Sequence, residues 1–395
     1  MKANKIIYLF TSIAFFTFLI HCSSENINYE IREENGISFV TNINAKYKVN
    51  EKFNLEFVRT FGELEGEDEN QQFFIPGDFT VDNNGNIYIL DTGNQRVQVF
   101  SLQGKFLQTI GREGQGPGEF MNPASLEIFE DRLYVHEDSR KKIQVLSLKG
   151  DYIDEFKVDA WYNNFRMLDT DNLVFSKLRG VSKRDTGNDP DNKAAESLIH
   201  LMNVSDNTVR KVGEPFKYGE ITANILNNAA VFTVDKEKNI YIAFENENSI
   251  QKYDNSGKML LSISRALPFE KILPKYKTLP NGFTVEDGTK MSEDIGIDYS
   301  GNIWVVSYTR QIKEEEMVRM GKTIDRGGKI TTELYGGTDI LQTDLFKLEV
   351  FSKEGILLQE IPMNHFCNKM RIFGDRLFIL DRLRGMNLRE YRIIN

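Results

Sequence analysis

Arginine residues recur at one position in this sequence, directly after strand-like segments of alternating apolar residues. Guanidinium groups gathered at one place pair bidentately with carboxylate, sulfate or phosphate groups, so the pattern predicts an anionic ligand. The opposing interpretation is solvated charge that pairs with nearby Glu and Asp. The candidate ligand-binding residues, which include a phenol and an imidazole at equivalent segment ends, are Arg140, Arg179, Arg310, Arg382, Tyr308 and His136.

Carboxylates end several copies of the same segment. Convergent carboxylate and amide oxygens are the ligands that calcium-assisted lactone hydrolysis requires, so these residues are alternative metal-binding candidates. Acidic residues also cap strand ends and turns for structural reasons, and both interpretations stay open. The leading interpretation needs no cofactor, and the alternative needs Ca. The four carboxylates are Asp91, Glu137, Glu245 and Asp381.

Established catalytic motifs are missing from the sequence. It contains no G-x-S-x-G, H-E-x-x-H or C-x-x-C motif and no P-loop. Beyond the N-terminal segment there are three histidines, His136, His200 and His365, at unlike places in the strand pattern, which argues against a shared zinc site. Two cysteines, Cys22 and Cys367, exclude a disulfide framework.

A repeat of alternating strands and Gly/Asn/Asp turns carries these residues. Its clearest copy, FTVDNNGNIYILDTGNQRVQVFSLQGKFLQTIG (79–111), contains four strands, named a to d in order. Five further copies begin near positions 125, 164, 230, 294 and 369. Four-stranded units that cannot bury both faces alone must stack, and radial stacking closes them into a ring. The sequence therefore predicts an all-β, six-bladed β-propeller of four-stranded antiparallel blades.

The sixth copy ends after its third strand, at the end of the chain. The segment LEFVRTFG (55–62), which precedes the first copy, reads like the fourth strand of that copy. We therefore expect this N-terminal strand to complete the C-terminal blade, which would hydrogen-bond the first unit to the last and leave no open seam. An open array and a pair of sandwiches are the alternatives.

The segment 76–111 resembles the NHL repeat, including Asp91, Asn94 and Arg96 of its D-x-x-N-x-R element. GREGQGPGEF (111–120) resembles the linker between blades in bacterial six-bladed propeller lipoproteins of unassigned function. The resemblance is strong over residues 50–157 and fades afterwards. It implies the propeller fold and a structural hydrogen bond for Arg96. It implies little about activity, because this architecture hosts lyases, lactonases, sensors and adaptors.

The loops divide unequally between the two faces of such a propeller. The a–b and c–d turns are all short, whereas the b–c loops and d–a crossings take every insertion, so we expect ligands on this second, long-loop face. One insertion, KEEEMVRMGK (313–322), is interpreted as a short solvated helix. The long connections are 62–77, 178–197, 213–229, 265–292 and 310–344.

The N-terminus has the layout of a secretory signal peptide, because two lysines precede an uncharged run over 6–20. LIHC followed by SS resembles a bacterial lipobox, with His21 in place of the usual small residue, so we expect lipidation at Cys22. The predicted domains are a signal peptide (1–21), a lipidated tether (22–50) with one short strand at 37–40, and the propeller (51–395).

Charge excludes one class of partner. The net charge is −9, and removal of residues 1–21 takes away two lysines and no acids, which leaves −11 and argues against nucleic acid. The sequence therefore predicts a monomeric binding or interaction module in the bacterial cell envelope, held at a membrane by lipid and facing the periplasm or the cell exterior. Its partner is a protein, a glycan or a small anionic ligand. The alternative is a propeller hydrolase or lyase, lactonase-like and metal-assisted, that acts at the central channel.

Overall fold

Six repeats of alternating apolar residues fold into six sheets that form an all-β, six-bladed propeller with four-stranded antiparallel blades. The structure, a computed structural model, describes residues 28–64, 67–158, 162–177, 199–218, 228–272, 275–278, 284–324 and 330–395. The signal peptide and Cys22 therefore lie outside the described residues, as does the insertion that contains Arg179. No helix in the described ranges is long and apolar enough to cross a membrane.

Strands are numbered in chain order. The N-terminal strands are β1 (Tyr29–Glu34), β2 (Ile37–Asn42) and β3 (Asn54–Phe61). Blade one consists of β4 (Pro76–Val81), β5 (Ile87–Asp91), β6 (Arg96–Phe100) and β7 (Phe106–Ile110). Blade two consists of β8 (Pro123–Phe129), β9 (Arg132–Glu137), β10 (Lys142–Ser147) and β11 (Tyr152–Lys157). Blade three consists of β12 (Tyr162–Met167), β13 (Asn172–Lys177), β14 (Ile199–Asn203) and β15 (Val209–Val212).

Blade four consists of β16 (Ala230–Val234), β17 (Ile240–Phe244), β18 (Ile250–Tyr253) and β19 (Met259–Arg265). Blade five consists of β22 (Ser292–Ile297), β23 (Ile303–Tyr308), β26 (Phe346–Phe351) and β27 (Leu357–Pro362). Blade six consists of β28 (Lys369–Phe373), β29 (Arg376–Asp381), β30 (Asn387–Ile394) and the N-terminal strand β3. Two separate hairpins pair β20 (Lys275–Thr278) with β21 (Thr284–Asp287) and β24 (Val318–Ile324) with β25 (Ile330–Gly336).

The turn between the first two strands of several blades is built by one aspartate. In blade one, Asp82 Oδ1 accepts the main-chain N–H groups of Asn84 and Asn86, both at 2.8 Å. Gly85 then takes φ +81°, a left-handed conformation that favours glycine. Asp298 makes the same two bonds in blade five, and Asp235 makes the second of them, to Asn239 N, in blade four. This recurring Asp-x-x-x-Asn turn explains why one face of the propeller has only short connections.

The apolar core is divided into six clusters, each between two neighbouring blades. The seam between the last and first blades contains Phe79 and Phe378, whose ring centroids lie 5.9 Å apart. Each remaining seam has a cluster of the same kind. A blade therefore buries both faces only by contact with two neighbours, as stacked repeats require.

Strand β3 supplies the fourth strand of blade six. It pairs antiparallel with β30, from Asn54 opposite Ile394 to Phe61 opposite Leu388. Phe53, which precedes it, is 1% exposed and packs edge-on against Trp304 of blade five, with centroids 5.4 Å apart. The first strand of the propeller thus contacts the last two blades.

The segment expected to be a tether over residues 22–50 is docked on the propeller in its described part, and the short strand predicted at 37–40 lies within β2. Strands β1 and β2 form a hairpin, and β2 adds in parallel to β19 at the outer edge of blade four. Buried Asn42 donates to Gly355 O (2.9 Å) and accepts from Leu357 N (2.7 Å), which links this hairpin to blade five. The main-chain N–H of Tyr47 also donates to Leu358 O at 2.8 Å. The segment docks because the free edges of the outer strands offer main-chain partners.

The insertion at 310–344 also differs from the expectation. The predicted short helix over 313–322 is wrong, since only Glu314–Glu316 form a 3-10 turn. The chain then enters the hairpin of β24 and β25, which is the only sheet these two strands join in the described part of the chain. The long-loop face therefore carries a β-hairpin rather than a helix.

Candidate functional site

Charged side chains of the inner strands meet at the centre of the propeller. The first strands of blades six, one, two and three contact one another in turn around the axis, as do those of blades four, five and six. Arg371 of blade six donates to Glu127 of blade two at 2.7 Å, although blade one lies between these blades in the ring. Arg166 of blade three lies 3.8 Å from the same carboxylate. Side chains from blades two, three and six therefore share one central network.

Asp78 of blade one is contacted by several hydrogen-bond donors and cations of this network. Arg371 Nη2 donates to both of its carboxylate oxygens, at 3.0 and 2.9 Å, and Lys369 Nζ lies 3.3 Å away. The main-chain N–H of Leu126 also donates to it. Burial alone would raise the pKa of Asp78, but Arg371 and Lys369 hold it down at about 2. The carboxylate is fully buried and saturated with donors, so it is not available to a ligand.

The side chains nearer the long-loop face are partly exposed. Glu293 of blade five accepts hydrogen bonds from the Tyr308 hydroxyl (2.5 Å) and from Asn368 Nδ2 (3.3 Å). Burial and the neighbouring Glu245 raise the pKa of Glu293 above the ordinary range. Glu245 in turn pairs with Lys290 at 3.0 Å. Blades four, five and six thus form a polar rim at the channel mouth.

A β-bulge places Glu293 at this rim. The pairing of β22 with β23 shifts register between Ser292 and Asp294, so Glu293 is the extra residue. The inner strands of blades one, two and three shift register at the equivalent point. Bulges re-aim side chains and are frequent beside functional sites.

Two cations of blade six complete the mouth. Lys369 begins β28 and is partly exposed, and burial together with Arg382 and Arg371 lowers its pKa to about 8 in spite of Asp78. Arg382 follows β29 and is also partly exposed. Its Nε donates to Pro76 O of blade one at 3.2 Å. Within the described part of the chain, no carboxylate lies within ion-pair distance of Arg382.

Two other predicted arginines are held by structural partners. Arg310 forms a bidentate pair with Glu316, both bonds being 2.7 Å, and a further bond to Asp344. The Arg310 side chain holds the pKa of Glu316 at about 2. Arg140 lies 3.5 Å from Glu137 and donates to Gln115 O at 2.9 Å. Both side chains are therefore committed to partners within the protein, and their role in ligand binding stays a prediction.

The partners of Arg140 have a counterpart in blade one. There Arg96 donates to Asp91 (2.9 Å) and to the carbonyl oxygens of Glu69 and Gln72 in the preceding crossing. Asn94 donates to the same carboxylate at 2.8 Å. In both blades a carboxylate at the end of strand b orients a cation that fastens a long crossing.

The four predicted metal ligands do not converge. Asp91 pairs with Arg96 and Glu137 with Arg140, each within its own blade. Glu245 pairs with Lys290. Asp381 accepts main-chain N–H groups of its own loop, including that of Gly385 at 2.8 Å. Among the described residues, no three His, Cys, Asp or Glu side chains are grouped so that they could hold a metal ion.

The predicted ligand residue His136 is inaccessible. It is 0% exposed, and in the described structure neither ring nitrogen has a hydrogen-bond partner. Its ring packs edge-on against Phe165 of blade three, with centroids 6.4 Å apart, and burial lowers its pKa to about 4. The prediction is wrong because the side chain points between blades two and three. Tyr308 is also buried, and its hydroxyl donates to Glu293 of the rim.

Comparison with known proteins agrees with this architecture. A family model described as DUF5128, 6-bladed beta-propeller, matches residues 28–301. The chain belongs to the DUF5128 family. No curated protein matches it.

Solved structures similar to this DUF5128 chain include a DUF4221 family member from Bacteroides vulgatus, with a TM-score of 0.56 and 9% identity over 87% of this chain and 99% of that one. A protein of unknown function from Bacteroides thetaiotaomicron has a TM-score of 0.49 and 12% identity over 87% and 77%. Virginiamycin B lyase from Staphylococcus aureus has a TM-score of 0.44 and 14% identity over 87% and 100%. The first of these shows the fold alone.

The sequence reasoning missed the central network. A signal was present, since each of five inner-strand segments carries a charge inside an apolar run. These charged residues are Asp78, Glu127, Arg166, Asp294 and Arg371. A charge in a strand that is otherwise buried must find a partner, and in a propeller the partners lie across the axis.

Proposed function

We propose that the protein is a lipid-anchored, extracytoplasmic propeller that binds a ligand on its long-loop face and has no catalytic activity of its own. One observation carries the proposal. Partly exposed polar and charged side chains from two blades lie together at the channel mouth, beside the long connections. They are Glu293, Asn368, Lys369 and Arg382.

The rest of the channel supports binding at the mouth rather than passage through the centre. Below the rim, Asp78 and Arg371 are buried and paired with each other. Arg166 is also buried, beside Glu127. Charged groups that are mutually paired in a buried site give a rigid floor. Such a floor would hold the polar groups of the rim in fixed positions, and small-ligand sites use a few precisely placed polar groups for specificity.

The proposed anchor is the lipidated Cys22, preceded by the charged start and apolar run of a signal peptide. More than one acyl chain gives stable membrane attachment, where a single chain is marginal. The proposed partners beyond the membrane are a small anionic ligand, a glycan or a protein, with the propeller acting as a monomer.

Anchoring is tested by fractionation of a lipoprotein-competent bacterial host. The full chain is expected in the membrane fraction, and Cys22→Ala is expected to release it. Cys367→Ala is the matched control, because Cys367 is fully buried in the propeller and its loss leaves the anchor intact. Unchanged partitioning of Cys22→Ala would refute the anchor.

The alternative is a hydrolase or lyase at the same mouth. One observation favours it: burial raises the pKa of Glu293, and its carboxyl accepts a hydrogen bond from Tyr308, as suits a group that transfers protons. The metal-assisted version is tested by elemental analysis of the purified full chain. A stoichiometric divalent ion that survives dialysis would favour the enzyme over the binding module.

A further inference from the structure

We infer that Arg382 and Lys369 form a subsite for a single carboxylate group, and that the ligand is a monoanionic, hydroxyl-rich molecule of the uronic acid class. This inference rests on the proposed function and names the ligand of that site. It takes the channel mouth between blades five, six and one as the place of binding.

The first step concerns the guanidinium N–H groups of Arg382 that have no hydrogen-bond partner in the described structure. Its Nε bonds to the main-chain oxygen of Pro76, which fixes the guanidinium at the junction of blades six and one. In the described structure, neither terminal nitrogen makes a hydrogen bond or an ion pair. Burial lowers the pKa of this arginine, while Asp78 and Glu293 act in the opposite direction. An incoming carboxylate would meet a fixed and partly desolvated cation, which is the geometry that favours bidentate pairing.

The second step concerns the charge balance around Lys369. Its ion-pair partner Asp78 already receives both bonds of Arg371. Arg371 and Arg382 both act on Lys369 as like charges, and they contribute to its lowered pKa. Asp78 is therefore shared by Arg371 and Lys369, and Arg371 also pairs with Glu127. Arg382 is the cation of this set that has no carboxylate within ion-pair distance in the described part of the chain, and one further negative charge at the mouth would stabilise it.

The third step limits the ligand to one negative charge. Asp294 is buried beside Lys369 and acts on it electrostatically. Glu293 lies at the rim, and its own pKa is already raised by Glu245. A monoanion would neutralise Arg382, with Lys369 as a second donor, whereas the second charge of a dianion such as a phosphate monoester would face these carboxylates without a further unpaired cation.

The fourth step concerns the neutral part of the ligand. The rim beside the cations presents the Glu293 carboxyl and the Asn368 amide, which are joined by a 3.3 Å hydrogen bond. Each carboxylate oxygen accepts about two hydrogen bonds, so Glu293 retains acceptor capacity beyond Tyr308 and Asn368. Hydroxyl groups next to a carboxylate complement this surface, and a hexuronate carries both.

The test is calorimetric titration of the full chain, purified in a nonionic detergent, with D-glucuronate. D-Glucose lacks the charge and D-glucose 6-phosphate carries two, so these are the matched probes. We expect saturable binding of glucuronate and much weaker binding of the other two. Arg382→Ala should weaken glucuronate binding by at least about 25-fold, the equivalent of losing one desolvated charge pair. Lys369→Met should weaken it by about tenfold.

The controls separate the subsite from general charge and from folding. Arg112 is an exposed arginine on the same face, and Lys258 is an exposed lysine in a short turn on the other face. Arg112→Ala and Lys258→Ala should change affinity by less than about twofold. Arg382→Lys keeps the charge but lacks the planar guanidinium group that pairs bidentately with a carboxylate. This variant should bind glucuronate with intermediate affinity, while its circular dichroism spectrum matches that of the parent.

Three results would overturn the inference: no glucuronate binding, equal binding of the phosphate, or full affinity in a folded Arg382→Ala. None of these would bear on the anchor, which fractionation tests separately. Conversely, a soluble full chain that still bound glucuronate through Arg382 would refute the anchoring while leaving the subsite intact.

Discussion

Arg371 of the last blade donates to both carboxylate oxygens of Asp78 in the first blade, at 3.0 and 2.9 Å. Asp78 is 0% and Arg371 7% exposed, so the pair lies in the interior of the ring. Together with the pairing of β3 and β30, it joins the two ends of the propeller by both side-chain and main-chain contacts. The seam between first and last blades is thus made of polar groups at its inner edge and strand pairing within blade six.

Removal of one partner of this pair should destabilise the protein strongly. In Asp78→Asn, buried Arg371 keeps Glu127 but loses its bidentate partner, and Lys369 loses its ion-pair partner. Breaking a buried ion pair in this way typically costs about 3–5 kcal/mol. Urea unfolding followed by circular dichroism measures the change. Arg112→Ala is the control, because its ion pair with Glu119 is exposed and such pairs contribute little to stability. Equal stabilities of the two variants would contradict a structural role for the central pair.

Closure by the N-terminal strand predicts a contrast between two phenylalanines that are four residues apart. Phe53 is 1% exposed against Trp304, whereas Phe57 in β3 is 56% exposed. Phe53→Ala should cost about 3–5 kcal/mol of unfolding free energy. Phe57→Ala should stay close to about 0.5 kcal/mol, as for an exposed surface substitution.

Deletions extend this test to whole segments. Loss of residues 51–62 removes β3 and leaves β30 of blade six with an unpaired edge. Loss of residues 28–41 removes the hairpin from the edge of blade four but leaves that blade with its own four strands. The first deletion should expose more apolar surface, measured as binding of a hydrophobic dye. A larger effect of the second deletion would argue against closure through β3.

The strand pattern predicted the six blades because alternation and turn chemistry are local properties. The docked hairpin was not predicted, since its partners are distant in sequence: Asn42 bonds to Ser264 O, 222 residues away. Nothing in the segment around Asn42 indicates which strand edge it will meet. Residues 28–50 therefore looked like a polar tether.

The candidate site was predictable only in part for a related reason. Arg310 and Arg382 both follow a second strand, and the pattern treats them alike. The two arginines differ in the structure because the insertion after Arg310 contains Glu316, whose carboxylate pairs with Arg310. No such acid follows Arg382. The network around Asp78 depends on which blades face each other across the axis, and that is set by closure of the ring rather than by any single repeat.

Two buried histidines predict a loss of stability in mild acid. Burial lowers the pKa of both His136 and His365 to about 4, below the unfolded value of about 6.5. The unfolded chain therefore binds more protons between these values, so the stabilisation is complete above about pH 6.5 and is lost as pH falls toward 4. Each histidine should contribute a loss of about 3 kcal/mol across this window.

The measurement is the free energy of unfolding against pH, between 7 and 4. His136→Leu should flatten the curve, because it removes a proton-binding group from a pocket that offers it no hydrogen bond. The carboxylates Asp78 and Glu316 titrate near 2, below this window. Glu293 and Asp294 have raised pKa values, but they contribute to the slope in the parent and the variant alike, so the difference between the two curves isolates His136. An unchanged slope in His136→Leu would show that the ring is not the group that titrates on unfolding.

The lowered pKa of Lys369 predicts that the affinity of the protein for its ligand falls in mild base. Its pKa is lowered to about 8 by burial, with Arg382 and Arg371 adding to the shift and Asp78 and Asp294 opposing it. Below that pH the lysine is charged and binds a carboxylate, and above it the neutral amine loses a charge-assisted hydrogen bond. A bound anion favours the charged form, so the midpoint in the complex should lie above 8.

Glucuronate titrations between pH 7 and 10 should therefore show about a tenfold loss of affinity, the worth of one charged hydrogen bond. Lys369→Arg keeps its charge throughout and should abolish the drop, while Lys369→Met should bind weakly at every pH without a midpoint. This pair distinguishes a titrating lysine from a general loss of folding, because a folding defect would alter all three proteins in the same direction. A drop that persisted in Lys369→Arg would assign the titration to another group and remove Lys369 from the subsite.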